Sequence, residues 1–196
     1  MRTIQRRYFV RLALSAAGQA ALPACKRKQA PPTLASVPAF ELIDQRGSRF
    51  ASTALDGKVW IANFIFTRCP TLCPTLTARM ARVQAATNRF GDAVRLVSFS
   101  VDPEFDTPER IAEYAARFGA GRRWTFLTGT RQSIEQLVSH GLQQALPDRK
   151  SDLASMAHGS SAVLIDGSRR IRGRYRLDDA GVALISEDAA HLALKA

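Results

Sequence analysis

Residues 58–66 (KVWIANFIF) form an almost unbroken apolar, β-branched and aromatic run, the pattern of a strand buried on both faces. Residues 93–101 (AVRLVSFSV) predict a second such strand. Between them Pro74 opens a helical pattern, with Leu76, Met80, Val83 and Thr87 on one face and Gly91 at its end. Residues 107–118 read as a capped helix: Thr107 is the N-cap, Pro108 occupies the first turn and Gly119 stops it. A short strand is predicted at 124–127, a helix at 132–142 and an irregular loop at 143–159. Residues 40–44 and 49–52 flank Gln45-Arg46-Gly47 as a hairpin, and residues 161–166 and 170–176 make another, turned at Asp166-Gly167. Ser186, with Glu187 and Asp188, predicts the start of a last helix. There is no internal repeat. The order β-α-β-α-β-α-β-β-α predicts an α/β sandwich with a mixed central sheet, to which the added hairpin near the C-terminus supplies antiparallel strands.

The N-terminal segment breaks this pattern. Residues 5–11 (QRRYFVR) resemble a twin-arginine export signal, and a weakly apolar run of residues 12–24, interrupted by Gln19, is too short and polar to span a bilayer. It ends in Leu22-Pro23-Ala24-Cys25, similar to a bacterial lipobox, in which the cysteine is lipidated after cleavage. Residues 1–25 are therefore expected to be an export signal and Cys25 the anchor. Residues 26–38 (KRKQAPPTLASVP) read as a flexible, Pro-rich tether, and residues 39–196 as one folded domain. The expected location is the periplasmic face of a bacterial membrane, reached through a lipid-anchored N-terminus. The formal charge of +11 raises the question of nucleic acid. Arg2, Arg6, Arg7 and Arg11 belong to the leader, and the other bases are scattered among acids. Charge alone gives no nucleic-acid reading; a mildly basic solvated surface, or a face for an acidic protein, accounts for it.

With Cys25 set aside, Cys69 and Cys73 remain for the domain. They sit in Phe66-Thr67-Arg68-Cys69-Pro70-Thr71-Leu72-Cys73-Pro74, between a buried strand and a helix start. Unpaired N–H groups at a helix N-terminus lower a thiol's pKa. A bridge closing so short a loop would stabilise little, which disfavours an inert staple. Structural zinc needs four ligands, more than two thiols and the chain's three histidines readily give. Two thiolates with an imidazole suit copper as Cu(I). His140 and His191 lie in helical patterns, where surface or core roles suffice. His158, in Ser155-Met156-Ala157-His158-Gly159-Ser160 before a buried strand, stands where binding residues are often mounted. The spacing alone leaves a ligand role and an ordinary loop role both open.

The pattern Phe66-Thr67-x-Cys69-Pro70-x-x-Cys73-Pro74 resembles the copper site of the Sco/SenC family, chaperones for cytochrome c oxidase assembly. Residues 97–108 (VSFSVDPEFDTP) and 124–129 (WTFLTG) are similar to two further family signatures. His158, just ahead of residues 162–166 (AVLID), stands where that family keeps its histidine ligand. The resemblance implies a thioredoxin-like fold and a copper ion held by Cys69, Cys73 and His158. It also implies a copper-receiving oxidase subunit, or another copper chaperone, as partner. The chain departs from the family at Thr71, often acidic there, and at Met156-Ala157, where an aromatic or acidic residue commonly precedes the histidine.

Two functions from different classes compete for the same sulfurs. One is a metallochaperone that delivers copper to a respiratory oxidase by ligand exchange at an exposed loop edge. The other is a thiol-disulfide oxidoreductase, with Cys69 and Cys73 as the redox-active pair, that keeps a client's copper-site cysteines reduced. The three-residue spacing favours metal, since dedicated thioredoxin-type enzymes use two. A peroxiredoxin-type peroxidase would need Thr and Pro where Phe66 and Ala62 stand. Asp102, at a strand end, either lies near the metal or caps the Pro103 turn.

Overall fold

The computed structural model describes residues 30–144 and 160–195. Among them, eight strands form one sheet in the order β1-β8-β7-β4-β5-β6-β2-β3. The centre is β4 (Val59–Ile65), parallel to β5 (Val94–Ser100) from Val59↔Val94 through Ile65↔Ser100. All seven residues of β4 are buried, as its unbroken apolar run requires. β6 (Trp124–Thr128) lies parallel to β5 on one side, and β7 (Ser161–Ile165) antiparallel to β4 on the other. The two expected hairpins are present: β2 (Glu41–Asp44) with β3 (Arg49–Ala51), and β7 with β8 (Arg170–Arg176). Each turn is organised by a buried aspartate. Asp44 accepts the Arg46 and Ser48 N–H groups at 2.9 and 3.0 Å, and Asp166 those of Ser168 and Arg170, both at 3.0 Å.

The pleat sends alternate side chains to two cores. Val59, Ile61 and Ile65 pack with Leu76, Met80 and Val83 of α1 (Leu72–Ala86), Ile111 and Tyr114 of α2 (Pro108–Arg117), and Val182 and Ile185 of α4 (Asp179–Ala193). Trp60, Ala62 and Phe64 face the opposite core, with Ile134 of α3 (Arg131–Glu135), Leu137, Val138 and Leu142. Sheet and helices thus form the expected mixed α/β sandwich.

Four boundaries differ from the pattern. α1 starts at Leu72 rather than Pro74 and ends at Ala86, and a 3-10 segment, Asn88–Ala93, carries Gly91 at a φ of 51°. Cys73 therefore lies in the first helical turn. The helix expected at 132–142 is α3 followed by a π-turn, Gln136–Gly141, closed by Leu142 N–H to Leu137 O at 2.7 Å. The wider turn lets Leu137, Val138 and Leu142 all reach the core. α4 starts seven residues before Ser186, because the Asp178 side chain caps it by accepting the Gly181 N–H at 2.8 Å. Gly181 is required there: a Cβ would meet the Arg176 carbonyl oxygen at 1.7 Å. The described part of the expected tether is bound to the sheet. β1 (Ala35–Ser36) pairs with β8, Val37 is buried, and Arg172 Nε donates to Pro31 O at 3.0 Å.

Met80, fully buried on α1 against the sheet, is the sharpest test of this packing. Met80→Ala is expected to cost about 2–5 kcal/mol in denaturant unfolding; a smaller loss would contradict the close contact described.

Candidate metal centre

The cysteine loop hangs from the end of β4. Its lead-in is fixed where Val101 N–H donates to Ile65 O at 2.9 Å, extending the strand pair beyond Ser100. Phe66 O then accepts the Cys69 N–H at 3.2 Å, turning the chain toward α1. Cys69 and Cys73 are both buried and both free thiols, in a small apolar cluster with Phe66, Leu72 and Val101. Arg68, Pro70 and Thr71 are exposed around them. The loop is at the surface as expected, but Cys69 and Cys73 are only 7% and 1% exposed, less open than an exposed-edge site.

The two thiols differ in a way that follows from the helix start. α1 begins without a side-chain cap at Thr71, so its first N–H groups are available. The Cys73 N–H donates to Cys69 Sγ at 3.3 Å. Burial pushes the Cys69 thiol up, but the N–H groups of Cys73, Thr71 and Leu72 outweigh it and leave the pKa below the usual thiol range. Cys73 points inward. Burial, reinforced by the neighbouring Cys69, pushes its thiol up to about 12, despite a backbone hydrogen bond at Phe66. The surroundings favour the thiolate at Cys69 and the protonated thiol at Cys73.

Beneath the loop lies a carboxylate to which the motif reading gave no role. Asp106, fully buried, accepts the Thr67 N–H at 3.1 and 3.2 Å, the Thr67 hydroxyl at 2.6 Å and the Ser100 hydroxyl at 2.5 Å. Burial raises its pKa in spite of these donors. The available signal was Ser98 and Ser100, polar positions on the core-facing side of an otherwise apolar strand. Asp102 combines two roles. Its carbonyl accepts the Phe105 and Asp106 N–H groups at 3.0 and 2.9 Å, which is the turn-capping role, and its carboxylate takes Arg68 Nε at 2.6 Å.

His158, Met156 and Cys25 lie outside the described residues. The chain re-enters the described structure at Ser160, and β7 runs antiparallel to β4 with Ala62 opposite Val163. Ser161 therefore starts at the same sheet end from which the cysteine loop leaves. Ser161 Oγ donates to Gln144 Oε1 at 3.1 Å. His140 is exposed and His191 half-buried, both in helical turns away from the cysteines in sequence. Among the described residues no group of three or more His, Cys, Asp or Glu is arranged to hold a metal. Two soft donors in an apolar setting are what they contribute, a set suited to Cu(I) once a further ligand joins them.

The asymmetry has a direct readout. With limiting iodoacetamide near neutral pH, Cys69 is expected to be alkylated about tenfold or more faster than Cys73, measured by peptide mass spectrometry. Because the Cys69 pKa is depressed, its rate should level off below the usual thiol range as pH rises. Cys73-first labelling would refute this assignment of the two sulfurs.

Comparison with known proteins bears on this geometry. A family model described as SCO1/SenC matches residues 28–192. The SCO1 protein homolog of Bacillus subtilis (strain 168) is 35% identical over 138 residues, covering 69% of this chain and 71% of its own. BsSco, a member of the Sco family of cytochrome c oxidase assembly proteins in which a disulfide switch has been identified, superposes with a TM-score of 0.74. The superposition has 28% identity and covers 86% of this chain and 99% of that one. Bradyrhizobium japonicum ScoI with copper bound superposes with a TM-score of 0.64 at 25% identity, covering 81% and 99%. The expected thioredoxin-like fold is the fold these Sco structures share with it. The match spans the cysteine loop and the Asp106 turn alike, and the chain belongs to the SCO1/SenC family.

Proposed function

We propose that this protein binds one copper ion through Cys69, Cys73 and His158 and delivers it to a respiratory oxidase during assembly. The observation that carries the reading is the pair of free, buried thiols at a strand–helix junction, one stabilised as a thiolate, in a family with a copper-bound member. Cys69, whose thiol is held below the usual range, gives up its proton more readily and offers the first sulfur. Cys73, raised to about 12, releases its proton as it binds, because the cation offsets the cost of a buried anion. His158 completes a three-ligand site. Incoming soft ligands of a partner then displace these donors one at a time, with exposed Arg68, Pro70 and Thr71 forming the approach. Exchange with an external disulfide, which takes up the two electrons as it is reduced to two thiols, would oxidise the sulfurs to a disulfide, remove both thiolates and release the ion. The receiving partner is an oxidase subunit or a second copper chaperone. The domain is held at the periplasmic face of the membrane through lipidated Cys25. Among the described residues no helix is long and apolar enough to cross a membrane.

The thiol asymmetry also favours a second reading, a reductase of a client's copper-site disulfide. The Cys69 thiolate attacks one client sulfur and the other leaves as a thiolate. Cys73, losing its proton, then attacks the mixed disulfide, so the client gains two electrons and Cys69–Cys73 becomes the disulfide.

Anaerobic titration of the reduced protein with Cu(I) is expected to saturate at one equivalent. That binding is expected to vanish in Cys69→Ala and Cys73→Ala and to weaken in His158→Ala by at least the roughly 10- to 100-fold that losing a mere outer partner of a ligand costs. One-equivalent binding that survives either cysteine substitution sinks the site. Copper transfer measured beside reductase turnover on an oxidised client peptide decides between the two readings.

A further inference from the structure

The loop that carries the cysteines has no helix cap of its own: Thr71 makes no side-chain cap bond. Main-chain bonds at Ile65 and Phe66 start the turn between Ile65 and Leu72 that points the Cys73 N–H at Cys69 Sγ. The side-chain bonds that hold its first residue converge on one buried side chain from the neighbouring strand's loop. Asp106 receives both the main-chain N–H and the hydroxyl of Thr67, two residues before Cys69, and the Ser100 hydroxyl fixes the same carboxylate from below. Ser100 in turn accepts the Asp102 N–H at 3.1 Å, and Asp102 reaches Arg68. Residues 67 and 68 are thereby tied to residues 100, 102 and 106 across a sequence gap of more than thirty residues.

We propose that Asp106 is the positioning residue of the cysteine loop, holding Thr67 so that the backbone presents Cys69 and Cys73 together to a metal ion. This rests on the copper-site reading above. The carboxylate touches neither sulfur in a hydrogen bond; it acts through Thr67. A carboxylate is suited to the task because its oxygens accept several donors at once and it brings no donor of its own. An amide in its place would turn an NH2 group toward Thr67 or Ser100, replacing an acceptor with a donor. Thr67 contributes two donors from one residue, so losing the hydroxyl alone removes one anchor and leaves the other.

The test uses the full reduced chain and two sets of variants. Asp106→Ala and Asp106→Asn remove the acceptor. Thr67→Val removes only the hydroxyl at nearly constant shape, and Thr67→Ser returns it. Competition titration with a Cu(I) chelator is expected to show affinity falling about 10- to 100-fold in the Asp106 variants, the range for losing an outer partner of metal ligands. Thr67→Val should show a smaller loss that Thr67→Ser restores. The thiolate-to-metal charge-transfer band of the Cu(II) form should shift in the same rank order, a readout that lowered stability alone does not move. Should Asp106→Ala fail to fold, the Thr67 pair decides the question. Folded variants with wild-type affinity and an unmoved band would overturn the proposal, as would a Thr67→Ser variant no better than Thr67→Val. If the unaltered protein binds no copper, the copper reading fails instead. The role of Asp106 is then read from Cys69–Cys73 disulfide closure against glutathione, where the same variants should lower the effective concentration about tenfold as the sulfurs lose their orientation. Unchanged closure would overturn it there.

Discussion

The parallel pairing of β4 with β5 is the constraint on which the site depends. The two strands stay in register for seven residues, and nearly every side chain they carry is buried. A pair clamped between two packed cores has little freedom to slide, because a one-residue slip would exchange the side chains facing each core. Parallel strands end at the same edge of a sheet, so the loops after Ile65 and Ser100 leave side by side. One loop brings the cysteines and the other brings Asp102 and Asp106. That edge, at the carboxyl ends of parallel strands, is where α/β sheets mount their ligands. A short contact between residues far apart in sequence then needs no further device.

At this edge two terms compete over each sulfur. Burial disfavours a thiolate, and N–H groups directed at it favour one. At Cys69 the N–H groups of the first turn prevail; at Cys73, already inside the helix, burial prevails. The order of the residues along the chain settles this, since a side chain just before a helix faces its open N–H groups and one inside it does not. The same polarity serves either chemistry of the pair. The more acidic thiol begins metal capture or disulfide attack, and the less acidic partner completes it. Ligand set and partner, more than thiol electronics, separate a chaperone from a reductase on this fold.

Much of this was legible in the sequence because the relevant signals are local. KVWIANFIF and AVRLVSFSV could only be buried strands, Thr107-Pro108 announced a helix, and Asp166-Gly167 a turn. Where a boundary was set by something non-local, the pattern misplaced it. The acids after Ser186 imitate a helix start that the Asp178 cap makes earlier, and the π-turn after Glu135 follows from Leu137, Val138 and Leu142 all seeking one core. β1 resembles tether because two residues cannot show a period; they pair only because β8 offers an edge. The cysteines were evident from type and spacing. Asp106 stood in the motif without a role, since nothing local says that its oxygens meet Thr67.

The buried polar groups on one face of the sheet show how the fold accommodates such a site. Trp124 Nε1 donates to Ser98 Oγ at 2.8 Å, and Ser98 Oγ to Asn63 Oδ1 at 2.6 Å. Thr77, one turn beyond Cys73, pairs with the Tyr114 hydroxyl at 2.8 Å. With Asp106 and Ser100 these groups lie on the face covered by α1, α2 and α4, and β5 on that face runs from Val94 and Leu96 to Ser98 and Ser100. Polar content thus increases along the strand toward the cysteine loop. Burying such groups is costly unless they are bonded, and once bonded they permit few alternative arrangements. Among the described residues the opposite face is free of such a chain near the strand centre: Phe40, Trp60 and Phe99 are in mutual ring contact there, and Phe64 stacks on Phe99. Both faces carry an apolar core, but the buried polar chain belongs to the one that α1, α2 and α4 cover. A substitution among the aromatics should therefore weaken the whole domain while leaving the cysteine geometry of the folded fraction unchanged, whereas one in the polar chain acts on the site first.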